Sequence, residues 1–199
     1  SMLNVHLAPS FAAKWLSLRL KEFRELYPEI GLCLFYAHKS VDFEREDIDL
    51  AVTYGKGDWV GVECTPIIKL DFFPVASPAW LAKNTTLVKP EQLLDVSLLH
   101  DANPNDWNER LRQAGVKGAN IKRGTTMDDT NVLIQAVIDG QGVALGSTPF
   151  VEDHLANGRL VVLFDQVLIT DHAYHVVCPK SHLQRSDVRA FKEWLLAQV

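Results

Sequence analysis

Residues 3–8 read as a short strand, and from residue 11 to 26 the apolar positions recur at helical spacing. Ala12, Leu16, Leu20 and Phe23 make one stripe, with Phe11, Trp15 and Leu18 beside it, while Lys14, Lys21, Glu22, Arg24 and Glu25 fill the other face. The spacing predicts a strand and then one helix over 11–26, with Ser10 as its N-cap and Pro28 as its stop. The stripe is wider than one packing partner needs, so two sides of this helix are expected to be buried. Residues 30–37 read as the next strand, 41–46 as a short helix, 48–52 as a buried strand, and 55–61, with Gly57 and Trp59, as a tight loop. Residues 61–76 hold no turn residue except Pro66 and Pro74. A run of that length predicts a strand that leaves one sheet and enters another.

After Ser77-Pro78 a second alternating series begins. Helices are expected over 90–94, 104–114, 130–139 and from Pro149 to a stop at Gly158; strands over 96–100, 121–126, 143–145, 160–164 and 172–178. Asp128 and Asp129 stand where a helix dipole favours acids, and Ser147-Thr148-Pro149 where a helix begins. Residues 186–197 read as a terminal amphipathic helix with Val188, Phe191 and Leu195 inward. Two βα series joined by one long strand, with a late strand and helix returning, predict an α/β protein of two lobes with a ligand cleft between them.

The 199 residues carry 20 Lys and Arg against 25 Asp and Glu, a net charge of −5, which speaks against nucleic-acid binding by this stretch itself. Lys14, Arg19, Asp49 and Lys69 interrupt the apolar runs well short of a membrane helix. Cys33, Cys64 and Cys178 are odd in number and far apart, so buried thiols in a reducing, cytoplasmic compartment are expected rather than disulfides. The first residues lack the pattern of a signal peptide, and Ser1 ahead of Met2 reads as the remnant of a removed tag, so a fragment of a longer protein is expected.

No GxSxG, HExxH, phosphate loop or GxGxxG occurs, and the segment from Gly140 to Gly146 reads as a helix-to-strand turn. His172 and His175, on a strand, would face opposite sides and cannot chelate one ion. No catalytic residue, metal or cofactor is predicted. What does gather is a set of positions at the βα turns: Ser10 and Phe11, His38-Lys39-Ser40, Thr53-Tyr54-Gly55, His100-Asp101, Thr126-Met127-Asp128-Asp129 and Gly146-Ser147-Thr148. Each alone is an ordinary cap or turn residue; together they lie at the edge where open α/β sheets bind ligands. Ser10, Phe11, His38, Tyr54, Gly55, His100, Met127, Asp128, Ser147 and Thr148 are the candidate contacts to a small-molecule effector.

The strings Pro9-Ser-Phe-Ala-Ala-Lys-Trp-Leu, Asp49-Leu-Ala-Val-x-Tyr-Gly55-x-Gly-x-Trp59-x-Gly61, Pro74-Val-Ala-Ser-Pro78, Ala136-Val-x-x-Gly140-x-Gly-Val-Ala-Leu-Gly146 and Phe191-x-x-Trp194-Leu195 run in a characteristic order. The chain resembles the effector-binding domain of LysR-type transcriptional regulators, in the glycine-cleavage-activator subgroup that also holds the β-lactamase-inducing regulators. The resemblance implies two Rossmann-like lobes of the periplasmic-binding-protein type joined by two crossover strands. Lobe I is expected at 1–71 with 170–199 and lobe II at 72–169. It also implies a winged helix-turn-helix, outside this stretch, as the only part that meets DNA. Pairing into a homodimer or tetramer is implied through the 11–26 helix and a helix of lobe II. Leu18 stands where the subgroup often has Pro, and Thr53 where it often has Arg. Without that arginine a carboxylate loses a bidentate partner, and Lys39 is the less directional substitute. A solute-binding protein of a transporter shares the architecture and is the alternative. An enzyme on the same scaffold is a third reading, for which no nucleophile and base stand at a workable spacing.

Overall fold

In the computed structural model the described residues are 1–37, 39–84, 89–102, 105–119, 121, 124–165, 167–168 and 170–199. The chain divides into two compact units, Ser1–Leu70 with Asp171–Val199, and Asp71–Thr170.

The first unit is built on a sheet of β1 (Met2–Leu7), β2 (Gly31–Tyr36), β3 (Leu50–Gly55), β4 (Glu63–Lys69) and β10 (Ala173–Cys178), in the order β2-β1-β3-β10-β4. β1, β2 and β3 run parallel, and β10 is antiparallel to both of its neighbours. Strand alternation sorts the side chains, so Leu3, Val5, Leu7, Leu50 and Val52 are buried on one face. After β1, the helix α1 (Pro9–Phe11) runs into a π-helical turn (Ala12–Leu16), and α2 (Leu20–Leu26) follows after a break. The single helix expected over 11–26 is therefore interrupted. The Ser17 N–H reaches back five residues to the Ala12 carbonyl at 2.8 Å, and the Ser17 hydroxyl donates to the Ala13 carbonyl at 2.7 Å. Both bonds pull the ladder out of α register. Arg19 closes the break, donating to the Trp15 carbonyl at 2.8 Å with its guanidinium 4.2 Å from the Trp15 ring.

Ser10 is not the N-cap that the sequence predicts. Ala8 takes that place, Pro9 opens the helix with its preset φ, and Ser10 is buried in the first turn. Phe23 of α2 meets Phe191 edge-on at 5.1 Å and Trp194 at 5.2 Å, both on α7 (Ser186–Ala197). The Trp194 indole N–H donates to Glu22 Oε1 at 3.2 Å. The helix expected over 41–46 is a single turn, in which the Glu46 carboxylate accepts from the Asp42 N–H at 2.8 Å.

The long apolar run is two strands: β4, on the edge of the first sheet, and β5 (Phe73–Ala76) in the second unit. Pro66 sits in β4 beside a register shift opposite Tyr174 and His175, where an edge strand tolerates a missing donor.

The second unit holds β5 flanked by antiparallel β8 (Ala144–Gly146) and β9 (Val161–Val162), and a parallel pair, β6 (Leu99–His100) with β7 (Thr125–Thr126). A parallel bridge from Leu98 to Val143 ties the two sets together. Around them lie α3 (Pro78–Ala82), α4 (Asn105–Gln113), α5 (Thr130–Ile138), α6 (Thr148–Ala156) and a 3₁₀ turn at Pro90–Asp95. Trp80, Leu93, Leu98, Trp107, Leu111 and Val143 form its core. The Trp107 indole N–H donates to the Leu99 carbonyl at 2.9 Å, so that large ring is buried with its one polar atom satisfied. The strand expected over 96–100 shortens to two residues, and of that expected over 121–126 the described strand is Thr125–Thr126; Pro104, Lys122 and Arg123 lie outside the described residues.

Candidate functional site

In the first unit, the candidates lie where the parallel strands end. Ser10 and Phe11 follow β1 and are buried. The Phe11 ring stacks on Trp15 at 5.0 Å and tilts against Tyr174 at 4.9 Å. Tyr54, on β3, packs against Tyr174 at 5.2 Å and His172 at 5.7 Å. Tyr174 thus joins Phe11 to Tyr54 in one aromatic cluster. His172 Nδ1 lies 2.8 Å from Asp171 Oδ1, and Lys56 Nζ lies 3.9 Å from that carboxylate. The hydrogen bond from His172, with Lys56 adding to it, holds the exposed Asp171 carboxyl below its ordinary range. Gly55 faces the Trp59 ring, which a Cβ there would approach to 2.7 Å. His38 lies outside the described residues.

In the second unit, His100 ends β6 and is buried; its backbone carbonyl accepts from the Met127 N–H at 2.8 Å. That bond brings the ends of β6 and β7 together and sets Met127 and Asp128 beside them. Gly124 packs so closely that a Cβ would meet the Leu98 carbonyl at 2.2 Å and the His100 ring at 2.9 Å. The recess beside His100, lined by Leu99, Asp101, Asp106, Trp107, Leu133 and Leu145, measures about 10 Å³, room for one water at most. Asp129 caps α5, its Oδ1 accepting from the Asn131 N–H at 2.8 Å.

Ser147 and Thr148, at the start of α6, are joined to Asp71. The Ser147 hydroxyl donates to the Asp71 carbonyl. The Asp71 carboxylate accepts from the Thr148 N–H at 3.0 Å and from the Thr148 hydroxyl at 2.6 Å. A helix start with free amides would favour an anion, and here the chain supplies its own.

Sequence reasoning missed Asp71, Asp171, His172 and Tyr174 as members of these clusters. Asp71 stood inside an apolar run, and the histidine and tyrosine read as ordinary strand residues. Their only advance signal was position, since residues before and on β10 adjoin the ends of β3. His175 belongs to the opposite face from Tyr174. Its Nδ1 lies 2.9 Å from the Ala173 carbonyl, and its ring lies edge-on to Trp59 at 5.5 Å. Among the described residues no group of His, Cys, Asp and Glu is placed to hold a metal ion.

A sequence profile described as the LysR substrate binding domain matches residues 1–199. The glycine cleavage system transcriptional activator of Escherichia coli (strain K12) is 36% identical over 196 residues, covering 98% of this chain, and the chain spans 64% of that protein's length. The HTH-type transcriptional activator AmpR of Rhodobacter capsulatus is 29% identical over 197 residues, covering 99% of this chain and 66% of that protein. Among solved structures, the effector domain of the transcriptional regulator AmpR of Pseudomonas aeruginosa matches with a TM-score of 0.90 at 27% identity, covering 100% of this chain and 95% of that one. The regulatory domain of CrgA from Neisseria meningitidis shares the fold, with a TM-score of 0.85 at 23% identity over 100% of this chain and 98% of that one.

Proposed function

Since this chain belongs to the LysR substrate-binding domain family, we propose that it is the effector-sensing part of a bacterial transcriptional regulator working in the cytoplasm. The residues we assign to contact with a small metabolite are Ser10, Phe11, His38, Tyr54, Gly55, His100, Met127, Asp128, Ser147 and Thr148. Binding of the metabolite biases a winged helix-turn-helix DNA-binding domain elsewhere in the full-length protein. The observation that carries this reading is the family match along all of residues 1–199. The net charge of −5 supports it, since this stretch is not the part that meets DNA. No helix among the described residues is long and apolar enough to cross a membrane.

The residues also favour an effector chemistry. Thr53 offers no guanidinium for a carboxylate, and Asp71 already fills the start of α6. Histidine, aspartate and hydroxyl groups beside an aromatic cluster suit a small zwitterion or peptide-like metabolite better than a simple anion.

A thermal-shift screen of amino acids, nucleobases and cell-wall fragments tests this. Ligand at one hundred times its dissociation constant adds about 2.7 kcal/mol of stability, several degrees in Tm for a domain of this size. Ser10→Ala and Ser147→Ala are expected to stay folded and to weaken the response. Parental responses from both variants would remove the site, and turnover of the bound compound would remove the sensing role.

A further inference from the structure

On β1 the polar residues Asn4 and His6 share the face opposite Leu3, Val5 and Leu7. Residues 39–48, which carry no regular helix or strand, meet that face at Asn4 and bring the charges of Lys39 and Glu46 to bear on His6; they are its cover. Asn4 Nδ2 donates to the Asp47 carbonyl at 2.9 Å and to Asp47 Oδ2 at 3.3 Å, pinning one end of the cover. Phe43 lies 6.1 Å from His182, whose Nδ1 is 2.8 Å from the Asp49 carbonyl. Beneath this cover His6 is only 5% exposed. Among the described residues neither of its nitrogens has a hydrogen-bond partner.

We propose that His6 makes the cover acid-labile: when the ring takes up a proton, residues 39–48 lift from the sheet to let water reach it. An imidazolium needs acceptors at both N–H groups, and the described residues of this face make no hydrogen bond to either nitrogen. Glu46, whose charge acts on the ring, already accepts from the Asp42 N–H with its carboxylate. The charged and titratable described residues on this side are Lys39, Asp42, Glu44, Arg45, Glu46 and Asp47 in the cover, Asp49 ahead of β3 with Arg185 on its carboxylate, Cys33 on β2 across from Asn4, and His182 beyond Phe43. Lys39 opposes protonation and Glu46 favours it, but burial is the largest influence and depresses the His6 pKa below its ordinary 6.5. The open form therefore binds the proton first. The closed form is fully favoured above pH 6.5 and loses ground as the pH falls below it. The open-to-closed ratio rises by up to about tenfold per pH unit until the closed form also titrates. This device does not depend on the effector reading.

The test is backbone hydrogen exchange of the whole chain, corrected for the intrinsic pH dependence, at neutral pH and about one unit below 6.5. Protection across 39–48 is expected to fall by up to about tenfold on acidification while the β3–β10 ladder keeps its own. In His6→Leu, which has no proton to take up, the acid-dependent loss is expected to vanish. An equal loss in His6→Leu, or no loss in the parent, overturns the proposal. Should His6→Leu fail to fold, NMR titration of the His6 ring in the parent decides. A midpoint below 6.5 that coincides with the loss of protection sustains the proposal, and a midpoint at or above 6.5, or one unlinked to exchange, ends it.

Discussion

Asp71 does for α6 what a local N-cap does for other helices, from 77 residues away. Its carboxylate accepts two bonds from Thr148 while its carbonyl accepts one from Ser147. No window of sequence could show this, because an acid in an apolar run looks like an interruption until the fold brings its partner to it. Asp71→Ala is expected to lower the unfolding free energy by about 1–2 kcal/mol, and Asp71→Asn, which keeps one acceptor, by less; urea denaturation measures both. Glu63 gives a pH-dependent counterpart. Its carboxylate accepts from Lys192 Nζ at 2.6 Å, and that bond, with the lysine charge, holds the carboxyl below its ordinary 4.5. A lowered carboxyl pKa contributes stability above 4.5 and surrenders it as the pH falls further. The Glu63 side chain is 39% exposed, so solvent screening keeps the contribution to about 1 kcal/mol or less. Glu63→Gln is expected to unfold at lower urea than the parent at neutral pH, and the gap to close below pH 4.5.

Among the elements, those whose pattern coincided with their burial were legible. α7 buries Val188, Phe191 and Leu195 as its stripe predicts, and the Asp129 and Gly158 signals bracket α5 and α6 in the right places. The π-helical turn was not legible, because it depends on Ser17 preferring a carbonyl four residues back to water, and hydrophobic spacing says nothing of that choice. The loop after β3 offers a sharper test. Gly57 and Gly61 have similar φ angles, 83° and 77°, which L side chains rarely adopt. A Cβ on Gly61 would meet nothing within 4 Å, whereas one on Gly57 would lie 2.4 Å from His175 Nε2. Gly61→Ala is expected to cost about 1 kcal/mol. Gly57→Ala should cost clearly more and shift the His175 ring resonances, both measurable on one sample by denaturation and NMR.

For the whole molecule, the change of sheet was legible because residues 61–76 were too long for one strand, and the structure divides them between units at Leu70 and Asp71. The candidate contact residues could be chosen only as places where strands end; which of them touch one another depends on packing among side chains far apart in sequence. The wide stripe over 11–26 bears on assembly. Leu18 is 73% exposed and Leu26 59%, an apolar surface left over once Phe23 and Leu16 have been buried. The dimer that the family resemblance implies through this stretch predicts that the chain sediments as a dimer at high micromolar concentration and that Leu18→Asp sediments as a monomer. A parent that sediments as a monomer would remove the interface.

The position of β10 between β3 and β4 sets the order in which the chain can mature. β4 emerges from the ribosome long before its only neighbour in the sheet, and everything in Asp71–Thr170 must be translated in the interval. The second unit has all its residues in one continuous stretch and can settle during translation, whereas the first stays a β2-β1-β3 sheet with β3 as an open edge and β4 unpaired until β10 is released. A nascent chain halted just before β10 should therefore display a protease-resistant insert within a degradable frame, and be a strong client for chaperones that shield unpaired strands.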